Sequence, residues 1–557
     1  MSFSRRDFMK AVSSTAVATG LIGCGSDSSE LVVVTFDYGV ASGDPTQTQV
    51  IIWTRVTTEA DYVDVTWQVA SDEGFSDVVQ SGVFTTDTSR DFTVKVDVQN
   101  LSANSHYYYR FMVGEAVSGI GETKTLPDES IEQASMAVVS CANYPAGYFN
   151  VYREILNQHQ ESAFDAVLHL GDYIYEYGAG GYASEDAEEL DRESSKGTEC
   201  ITLDDYRKRY AQYRQDPDLQ ALHAKLPMIA VWDDHELANN AWKDGAENHQ
   251  DDEGSFYDRR AAAAAAWTEW LPVRENSFSS MLIYRQFSFG NLVNLMMLDT
   301  RLVGRDEPLD YLSLSDFSME SIAGLVAESR SADRELLGDE QLAWMMNELN
   351  TQNATWNVLG QQVLMSRMEL PSSVMLAMFQ LFVATEEQKA AALLAVNSAI
   401  INYLSDPSSD PVLLPYNLDA WDGYYVDREK VYALLNASSG KFVCLAGDTH
   451  NSWASELKDV ASNPVGVEFA AGSVSSPGIE ELLGLDAAVI AQMEVALPQL
   501  VSELQWADLK LRGFMRVTFT PDKAESTWYF VSTVKEMEYQ VTMKSASTTD
   551  GVTLDIS

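Results

Sequence analysis

The chain from Val32 to about Pro127 alternates apolar and polar residues in short runs. Residues 63–69 place apolar side chains at every second position, which is the period of a strand with one buried face. Turn-forming residues such as Ser42-Gly43-Asp44-Pro45 separate the runs. We predict strands at residues 31–36, 49–56, 63–70, 82–86, 92–98, 107–113 and 123–126. Short strands in this number predict an all-β, immunoglobulin-like or fibronectin-like sandwich.

From Met136 onward, uninterrupted apolar runs end in polar residues that can carry chemistry. These runs cover residues 137–139, 166–170, 228–231, 292–298, 356–359 and 442–446. Stretches with a helical pattern lie between them, at residues 204–215, 259–271 and 339–349. The alternation of buried strands and helices predicts an α/β fold. Ligands in such folds bind at the carboxyl ends of strands, where the polar residues lie.

The first 24 residues have the pattern of an export signal. Arg5-Arg6 precede an uncharged stretch over residues 11–22, and Leu21-Ile22-Gly23-Cys24 follows. The arginine pair resembles a twin-arginine (Tat) signal, and the last four residues resemble a bacterial lipobox, whose cysteine is lipidated. The resemblance implies a lipid anchor at Cys24, export by the Tat machinery and a periplasmic or cell-surface location. The alternative to a signal is an ordinary short helix that begins with two arginines. In either case the apolar stretch is too short to be a membrane-spanning helix.

Composition narrows the choice of partners. The chain of 557 residues carries 37 basic and 83 acidic side chains, which gives a net charge of −46. Such a surface repels phosphate backbones and argues against coating of a nucleic acid, although a metal site can still attract a small anion. The four cysteines are too few for a disulfide scaffold.

Residues with metal-binding side chains follow the ends of several apolar runs. They are Cys141, Asp172, Asp234, His235, Asp448 and His450. Gly171 permits a sharp turn before Asp172. Asp448 and His450 are two positions apart, so on an extended chain end both side chains face the same side. Oxygen, nitrogen and thiolate donors together suit transition metals. Each residue also has a structural explanation: a surface turn, a capped histidine or an inert buried cysteine.

An ordered set of motifs gives the chain a resemblance to a known family. Gly171-Asp172-x-x-Tyr175 matches a block of the purple acid phosphatases, and its order with 234–236 and 447–450 resembles the calcineurin-like metallophosphoesterases. The variants present resemble the PhoD-type (alkaline phosphatase D) family. Further blocks that resemble this family cover residues 36–45, 52–55, 140–141, 171–178, 231–236, 298–301, 421–424, 447–451, 468–469 and 473–476. The resemblance implies metallophosphoesterase-type layered sheets flanked by helices.

The implied organisation has three parts. Residues 1–31 are the signal and tether, residues 32–127 the β-sandwich, and residues 135–557 the metallophosphatase catalytic domain. Pro127-Asp128-Glu129-Ser130 is the predicted linker between the last two parts.

The resemblance also implies metal ligands and phosphate contacts. The ligands implied for Fe³⁺ are Cys141, Asp172, Tyr175 and His450. Those implied for Ca²⁺ are Asp172, as a bridge between the metals, Asp234 and Asp448. Arg301 and His235 are the expected phosphate contacts, and Gln361 stands where purple acid phosphatases have a histidine. Carboxylates suit calcium, whereas phenolate and thiolate ligands suit iron of higher charge.

The activity implied is that of an exported, metal-dependent phosphoester hydrolase. It would act on phosphate mono- or diesters by in-line attack of a metal-bound hydroxide, with His235 stabilising the phosphoryl oxygens or protonating the leaving group. The chain has no Gly-x-Ser-x-Gly elbow, which counts against a serine esterase. The alternative from a different class is a non-catalytic cell-surface binding lipoprotein with a decayed phosphatase domain.

Residues 370–385 form an uncharged stretch between two of the blocks. Simple packing on the core is the usual role of such an apolar segment. The other hypothesis is a lid or apolar wall beside the site, which would favour bulky ester groups.

Overall fold

The computed structural model describes residues 33–557, apart from residues 196, 276–280 and 317. The predicted export signal and the lipidation site at Cys24 therefore lie outside the described residues. Within the part that is described, no helix combines the length and the apolar character that a membrane crossing requires.

The N-terminal part is the β-sandwich that the alternating pattern predicts. Its strands are β1 (Val34–Thr35), β2 (Val40–Gly43), β3 (Val50–Arg55), β4 (Thr57–Thr58), β5 (Tyr62–Ala70), β6 (Val78–Asp87), β7 (Thr93–Val98), β8 (His106–Val113), β9 (Ala116–Val117) and β10 (Gly121–Lys124). Strands β5, β6, β8, β9 and β10 form one sheet, and β2, β3 and β7 lie in another. Side chains of both sheets, among them Ile52, Val65 and Tyr109, share one apolar core.

Strand β2 differs from the sequence prediction, which has turn-forming residues at Ser42 and Gly43. In the structure these residues pair with β3, and Gly43 also pairs in parallel with Met228. A Cβ atom at Gly43 would lie 2.4 Å from the Pro272 carbonyl oxygen, so glycine allows this close approach. Through this pair, one sheet of the sandwich continues into the main sheet of the rest of the chain.

Two larger sheets form the centre of the described chain. Their strands are β11 (Ala134–Val139), β12 (Ala166–His169), β13 (Met228–Ala230), β14 (Arg285–Phe289), β15 (Val293–Met297), β16 (Trp356–Gly360), β19 (Lys441–Ala446), β20 (Ser452–Lys458), β21 (Pro464–Ala470), β22 (Leu504–Asp508), β23 (Arg512–Phe519), β24 (Ala524–Val531), β25 (Val541–Thr548) and β26 (Asp555–Ile556). A small sheet pairs β17 (Glu369–Pro371) with β18 (Leu413–Pro415).

Each large sheet has a parallel centre. The first has the order β26-β25-β24-β23-β11-β12-β13-β2-β3-β7, and the second has the order β14-β15-β16-β19-β21-β20-β22. Strands β11, β12 and β13 run parallel in the first sheet, as β15, β16 and β19 do in the second. These six strands are the apolar runs identified in the sequence, so that prediction is confirmed. Both sheets contribute to one core, with Val167 on one side and Leu295 and Val358 on the other.

Helices flank these sheets and connect their strands. The described helices are α1 (Asn150–Glu161), α2 (Ala187–Leu190), α3 (Leu203–Tyr213), α4 (Pro217–Lys225), α5 (Phe256–Trp270), α6 (Met319–Ser329), α7 (Gly338–Thr351), α8 (Ser372–Phe382), α9 (Glu386–Ser405), α10 (Tyr425–Ala437), α11 (Ile479–Leu483) and α12 (Ala487–Leu500). The three predicted helices correspond to α3, α5 and α7. The layered α/β architecture behind a β-sandwich is therefore the fold expected from the sequence.

Candidate metal centre

Metal-binding atoms from both large sheets lie close together where the parallel strands end. Among the described residues, three groups have ligand atoms that all lie within 4.8 Å of one another. The groups are Cys141 with Asp172 and His450, Asp172 with Asp234 and His235, and Asp233 with Asp234 and Asp448. Because two aspartates each belong to two groups, the seven residues form one continuous set, called the ligand cluster below. It contains all six metal-binding residues singled out at the strand ends in the sequence, together with Asp233.

Tyr175 reaches the ligand cluster, whereas Tyr173 does not. The Tyr175 hydroxyl donates to Asp172 Oδ2 at 3.1 Å and lies 3.0 Å from His450 Nε2. It also accepts a hydrogen bond from Ser476 Oγ at 2.7 Å. The Tyr173 hydroxyl instead lies 2.8 Å from Nε2 of a different histidine, His223. Tyr175 is therefore positioned to share a metal ion with Asp172 and His450.

The orientation of the His450 ring leaves one nitrogen for a metal ion. Nδ1 lies 2.9 Å from the Pro477 carbonyl oxygen, which can only accept a hydrogen bond, so Nδ1 carries the proton. Burial lowers the pKa of His450 to about 4, which keeps the imidazole neutral. The lone pair therefore lies on Nε2, the atom that faces the Tyr175 hydroxyl. A backbone carbonyl that orients a histidine in this way is common in metal sites.

Several residues of the ligand cluster have left-handed backbone conformations. They are Cys141 (φ 61°), Asp172 (φ 54°), Asp448 (φ 66°) and His450 (φ 58°). Gly171, just before the first of these aspartates, has φ 110°, and a Cβ atom there would lie 2.4 Å from the Asp233 Cβ. Side chains other than glycine rarely adopt positive φ, and such residues concentrate at functional sites. The geometry thus marks these strand ends independently of their side-chain chemistry.

Arg301 lies inside the acidic part of the cluster. Its guanidinium is fully buried and forms ion pairs with Asp233, with Asp419 at 2.8 Å and with Asp448 at 3.0 Å. It lies 4.0 Å from Asp234. Contact with a phosphate group, the role expected of Arg301 from the resemblance, stays a prediction. In this structure Arg301 holds the carboxylates together.

His235 is held by a buried glutamate. Its Nδ1 lies 2.7 Å from Glu176 Oε2, and the other oxygen of Glu176 accepts from Asn248 Nδ2 at 2.9 Å. Burial disfavours a charged imidazole, but the neighbouring carboxylates, Asp234 first, outweigh it and raise the pKa of His235 well above its ordinary value. The His235 ring also stacks on Tyr175, with the ring centroids 4.2 Å apart. The histidine therefore has a fixed orientation within the cluster.

Three of the crowded carboxylates are short of positive charge, whereas at Asp234 nearby Arg301 and His235 outweigh burial and lower the pKa. Burial raises the pKa of Asp172 and of Asp233 well above the ordinary value, and raises that of Asp448 to about 7. Asp233 Oδ2 is buried and has no hydrogen-bond partner among the described residues. A bound cation would stabilise the charged carboxylates and would give this oxygen a partner. The donor set therefore fits metal ions.

Two supporting residues were not assigned roles from the sequence. Glu236 is buried and accepts hydrogen bonds from the backbone N–H groups of Asp172, Tyr173 and Asp233. Gln362 donates to the carbonyl oxygens of residues 232 and 298 at 2.6 and 3.1 Å, and so links the ends of β13 and β15. Glu236 belongs to a recognised motif, but nothing in the sequence shows which backbone groups it binds. Only the fold brings these partners together.

Gln361 is not directed at the ligand cluster by its hydrogen bonds. Its Nε2 donates to the Val363 carbonyl and lies 3.4 Å from Cys444 Sγ, and its Oε1 accepts from Trp421 Nε1 at 3.1 Å. The position that resembles a metal-binding histidine in purple acid phosphatases is thus occupied here by a residue bonded within the core.

A cavity of about 760 Å³ adjoins the cluster. His450, Asp419 and the neighbouring Thr449 and Asn451 line it, so the cavity reaches the ligand cluster at His450. Helix α8, within the uncharged stretch 370–385, contributes to the same cavity. That helix also packs on the core through Val374, Ala377 and Leu381, so the packing role is observed, whereas the hypothesis of a lid or apolar wall stays a prediction.

The fold and the site together define a class of protein. Layered sheets whose parallel strands end in clustered carboxylate, imidazole, phenol and thiol groups define an α/β protein with a candidate metal centre. Comparisons with known proteins narrow this class. A family model described as "PhoD-like phosphatase" matches residues 136–528, and one described as "PhoD-like phosphatase, N-terminal domain" matches residues 23–127. The chain belongs to the PhoD-like phosphatase family.

Two known proteins illustrate the relationship. Alkaline phosphatase D of Bacillus subtilis (strain 168) is 33% identical over 522 residues, which cover 90% of this chain and 78% of the relative. A solved structure titled "Structure of PhoD" has a TM-score of 0.75 and 31% identity, and the match covers 94% of this chain and 92% of that one. The similarity extends through both the sandwich and the layered sheets.

Proposed function

We propose that this protein is an exported, metal-dependent hydrolase of phosphate mono- or diesters. The observation that carries the proposal is the ligand cluster, in which Asp172 and Asp234 each belong to two overlapping groups beside an open cavity. Adjacent groups with a shared carboxylate suit two neighbouring cations, an arrangement that clamps the attacking and leaving oxygens of a phosphoryl transfer.

The donor chemistry suggests how the metals divide between the groups. We assign Fe³⁺ to the group with thiolate, phenolate and imidazole donors and Ca²⁺ to the carboxylate groups. The residues assigned to Fe³⁺ are Cys141, Asp172, Tyr175 and His450. The residues assigned to Ca²⁺ are Asp172, Asp234 and Asp448, and Asp233 Oδ2 is a further oxygen donor.

The bound metals, His235 and Arg301 would have distinct parts in the reaction. When bound, the metals would lower the pKa of a coordinated water and neutralise the charge of the phosphate group. His235 donates a hydrogen bond from Nδ1 to the Glu176 carboxylate. Nε2 is therefore the nitrogen that would carry a proton to the leaving-group oxygen. Arg301 keeps Asp233 and Asp448 in place through its ion pairs. Burial of these groups strengthens their electrostatic effect on the developing charge.

Hydrolysis of p-nitrophenyl phosphate and bis(p-nitrophenyl) phosphate tests the proposal. We expect turnover of at least one ester by the metal-loaded protein, loss of turnover with a chelator, and recovery when Fe³⁺ and Ca²⁺ are returned. Asp448→Asn should lower turnover at least about a hundredfold, whereas Asp316→Asn, at a position outside the cluster, should not. Failure to hydrolyse either ester after metal reconstitution would favour the non-catalytic binding lipoprotein instead.

We also propose that the enzyme is anchored to a membrane through a lipid on Cys24, after Tat export to the periplasm or cell surface. The support for this proposal is the sequence pattern of residues 5–24. A metallohydrolase is a suitable Tat passenger, because its metals can be inserted before export.

A further inference from the structure

The cavity beside the ligand cluster has a second, apolar region. Besides His450 and Asp419, its lining includes side chains from α8 and from α11. The apolar lining residues of these helices are Met375, Met378, Phe379, Phe382, Leu482 and Leu483. The cavity therefore connects His450 of the ligand cluster with a hydrophobic surface that the proposed reaction does not use.

Helix α8 is built to present this surface. It contains no charged residue, and its cavity-lining side chains lie at positions 375, 378, 379 and 382, the spacing of one helical face. Two of its other buried residues, Ala377 and Leu381, pack with Val396 of α9 and Leu483 of α11. The helix thus has an apolar face covered by protein and a second apolar face directed at the cavity.

The exposure of the cavity face changes along α8. Met375 is 1% exposed, whereas Phe382, at the end of the helix, is 48% exposed. The Phe379 ring lies against Tyr311, with centroids 4.9 Å apart, and the Tyr311 hydroxyl is bound to the Pro415 carbonyl at 2.9 Å. The polar end of this tyrosine is therefore occupied elsewhere, and its ring contributes apolar surface.

The charged residues of the cavity argue against a second anionic group. Glu307, Asp310 and Glu328 line it together with Arg334. The Arg334 guanidinium already donates to the carbonyl oxygens of Gly423 at 3.0 Å and Glu307 at 2.9 Å. A ligand that extends from the metal site along this wall would therefore meet apolar and acidic groups.

We propose that this cavity binds an uncharged alkyl or aryl group esterified to the phosphate at the metal site. This inference rests on the proposed function and names its substrate class as amphiphilic phosphodiesters. A cavity of about 760 Å³ accommodates an apolar group of about eight carbon atoms together with the phosphate. The acidic residues on the wall disfavour nucleotides and other esters with further phosphates.

A series of alkyl p-nitrophenyl phosphates tests the proposal, because the leaving group stays constant while the alkyl chain grows. The metal-loaded protein is assayed with the methyl, butyl and octyl esters below their micelle concentrations. We expect kcat/KM to rise at least about tenfold from methyl to octyl, since each buried methylene favours binding. A flat series with measurable methyl-ester turnover would overturn this inference and leave the proposed function intact.

Two neighbouring substitutions provide a matched comparison. Phe382→Asp places a charge on the cavity wall, whereas Val383→Asp places the same charge one position later, at a residue that is 62% exposed and outside the cavity lining. We expect Phe382→Asp to lower the octyl-to-methyl ratio of kcat/KM at least about fivefold while the methyl ester is unaffected. Val383→Asp should keep the wild-type ratio. Equal ratios in both variants and the wild type would contradict the assignment.

Binding measurements separate this inference from the proposed function. Calorimetry with methylphosphonate and octylphosphonate is expected to show tighter binding of the longer chain, and Phe382→Asp should remove the difference. If no ester is hydrolysed, the proposed function fails, while this calorimetric result still decides whether the apolar site exists.

A further experiment distinguishes two sources of the substrate, because membrane lipids and soluble amphiphiles both carry alkyl chains. Vesicles of a neutral glycolipid, which contains no phosphate ester, should increase octyl-ester turnover if the source is a membrane, and decrease it by sequestration if the source is soluble.

Discussion

Single residues of the ligand cluster adopt backbone conformations that cost folding free energy. Left-handed conformations at residues other than glycine cost about 1–3 kcal/mol each, and four cluster residues have them. The surrounding contacts, such as the hydrogen bond from Ala142 N to Asp172 O at 2.8 Å, hold these conformations. The chain thus uses stability gained elsewhere to direct Cys141, Asp172, Asp448 and His450 into the ligand cluster.

Tyr175 provides a test at this scale. Tyr175→Phe removes only the hydroxyl that lies between Asp172 and His450, so it should bleach or shift the visible charge-transfer band expected of a ferric phenolate and lower iron content. Absorbance and metal analysis of natively exported protein measure both quantities. Tyr173→Phe is the control, because its hydroxyl faces His223, and it should keep colour and turnover. Wild-type colour, iron and turnover in Tyr175→Phe would refute the iron assignment.

At the scale of elements, one glutamate joins the turns after two parallel strands. Glu236 follows β13 and accepts hydrogen bonds from the Asp172 N–H at 3.0 Å, the Tyr173 N–H and the Asp233 N–H at 2.8 Å. These groups lie in the turns after β12 and β13 and carry ligand-cluster side chains. Burial raises the pKa of Glu236 to about 8, although the backbone donors oppose this rise. The relative position of the two strand ends depends on this side chain.

Glu236→Gln tests that role. The new amide places a donor against backbone donors, so we expect a loss of about 1–3 kcal/mol in the free energy of unfolding, together with lower metal content. Glu468→Gln is the matched control, because Glu468 is also buried and accepts from the N–H groups of Met365 and Ser366, outside the cluster. It should lose stability but keep its metals. Unchanged metal content in Glu236→Gln would show that the glutamate does not position the ligands.

At the scale of the whole molecule, a backbone strand pair and an ion pair join the sandwich to the layered sheets. Gly43 of β2 pairs with Met228 of β13, and Arg285 forms a hydrogen-bonded ion pair with Asp44 at 2.6 Å. The strand that leads to Asp233 and Asp234 is therefore directly supported by the sandwich.

The chain has a net charge of −46, although its candidate site is proposed to bind phosphate esters, which are also negatively charged. Bound cations would resolve this conflict, since they would reverse the sign of the local field.

Cys24→Ser tests the proposed membrane attachment. Loss of the lipid should release an active enzyme from the membrane fraction, because burial of the acyl chains supplies the attachment. Fractionation of cells and mass spectrometry of the mature N-terminus measure the outcome. Ser26→Ala, two positions later, is the control and should remain with the membrane. A wild-type protein that carries no lipid and is soluble in the periplasm would disprove the anchor.

The predicted elements show how far local pattern reaches. The apolar runs 137–139 and 442–446 became β11 and β19, and residues 259–271 became part of α5, because burial and periodicity are properties of a short stretch of chain. Strand β2 could not be predicted from local sequence pattern. Ser42 and Gly43 resemble a turn locally, and they form a strand only because β3 and β13 offer backbone partners.

The sequence by itself determined the six parallel strands of the large sheets, most strands of the sandwich, three of the helices and the residue types at the strand ends, and its motifs were enough to indicate the family. Tertiary structure alone decided which strands share a sheet and that the turn at Asp172 meets the turn at His450. It also decided that Arg301 pairs with Asp419 and that Glu176 holds His235. The physical reason is that side-chain pattern is encoded locally, whereas these contacts depend on how two sheets pack across a shared core.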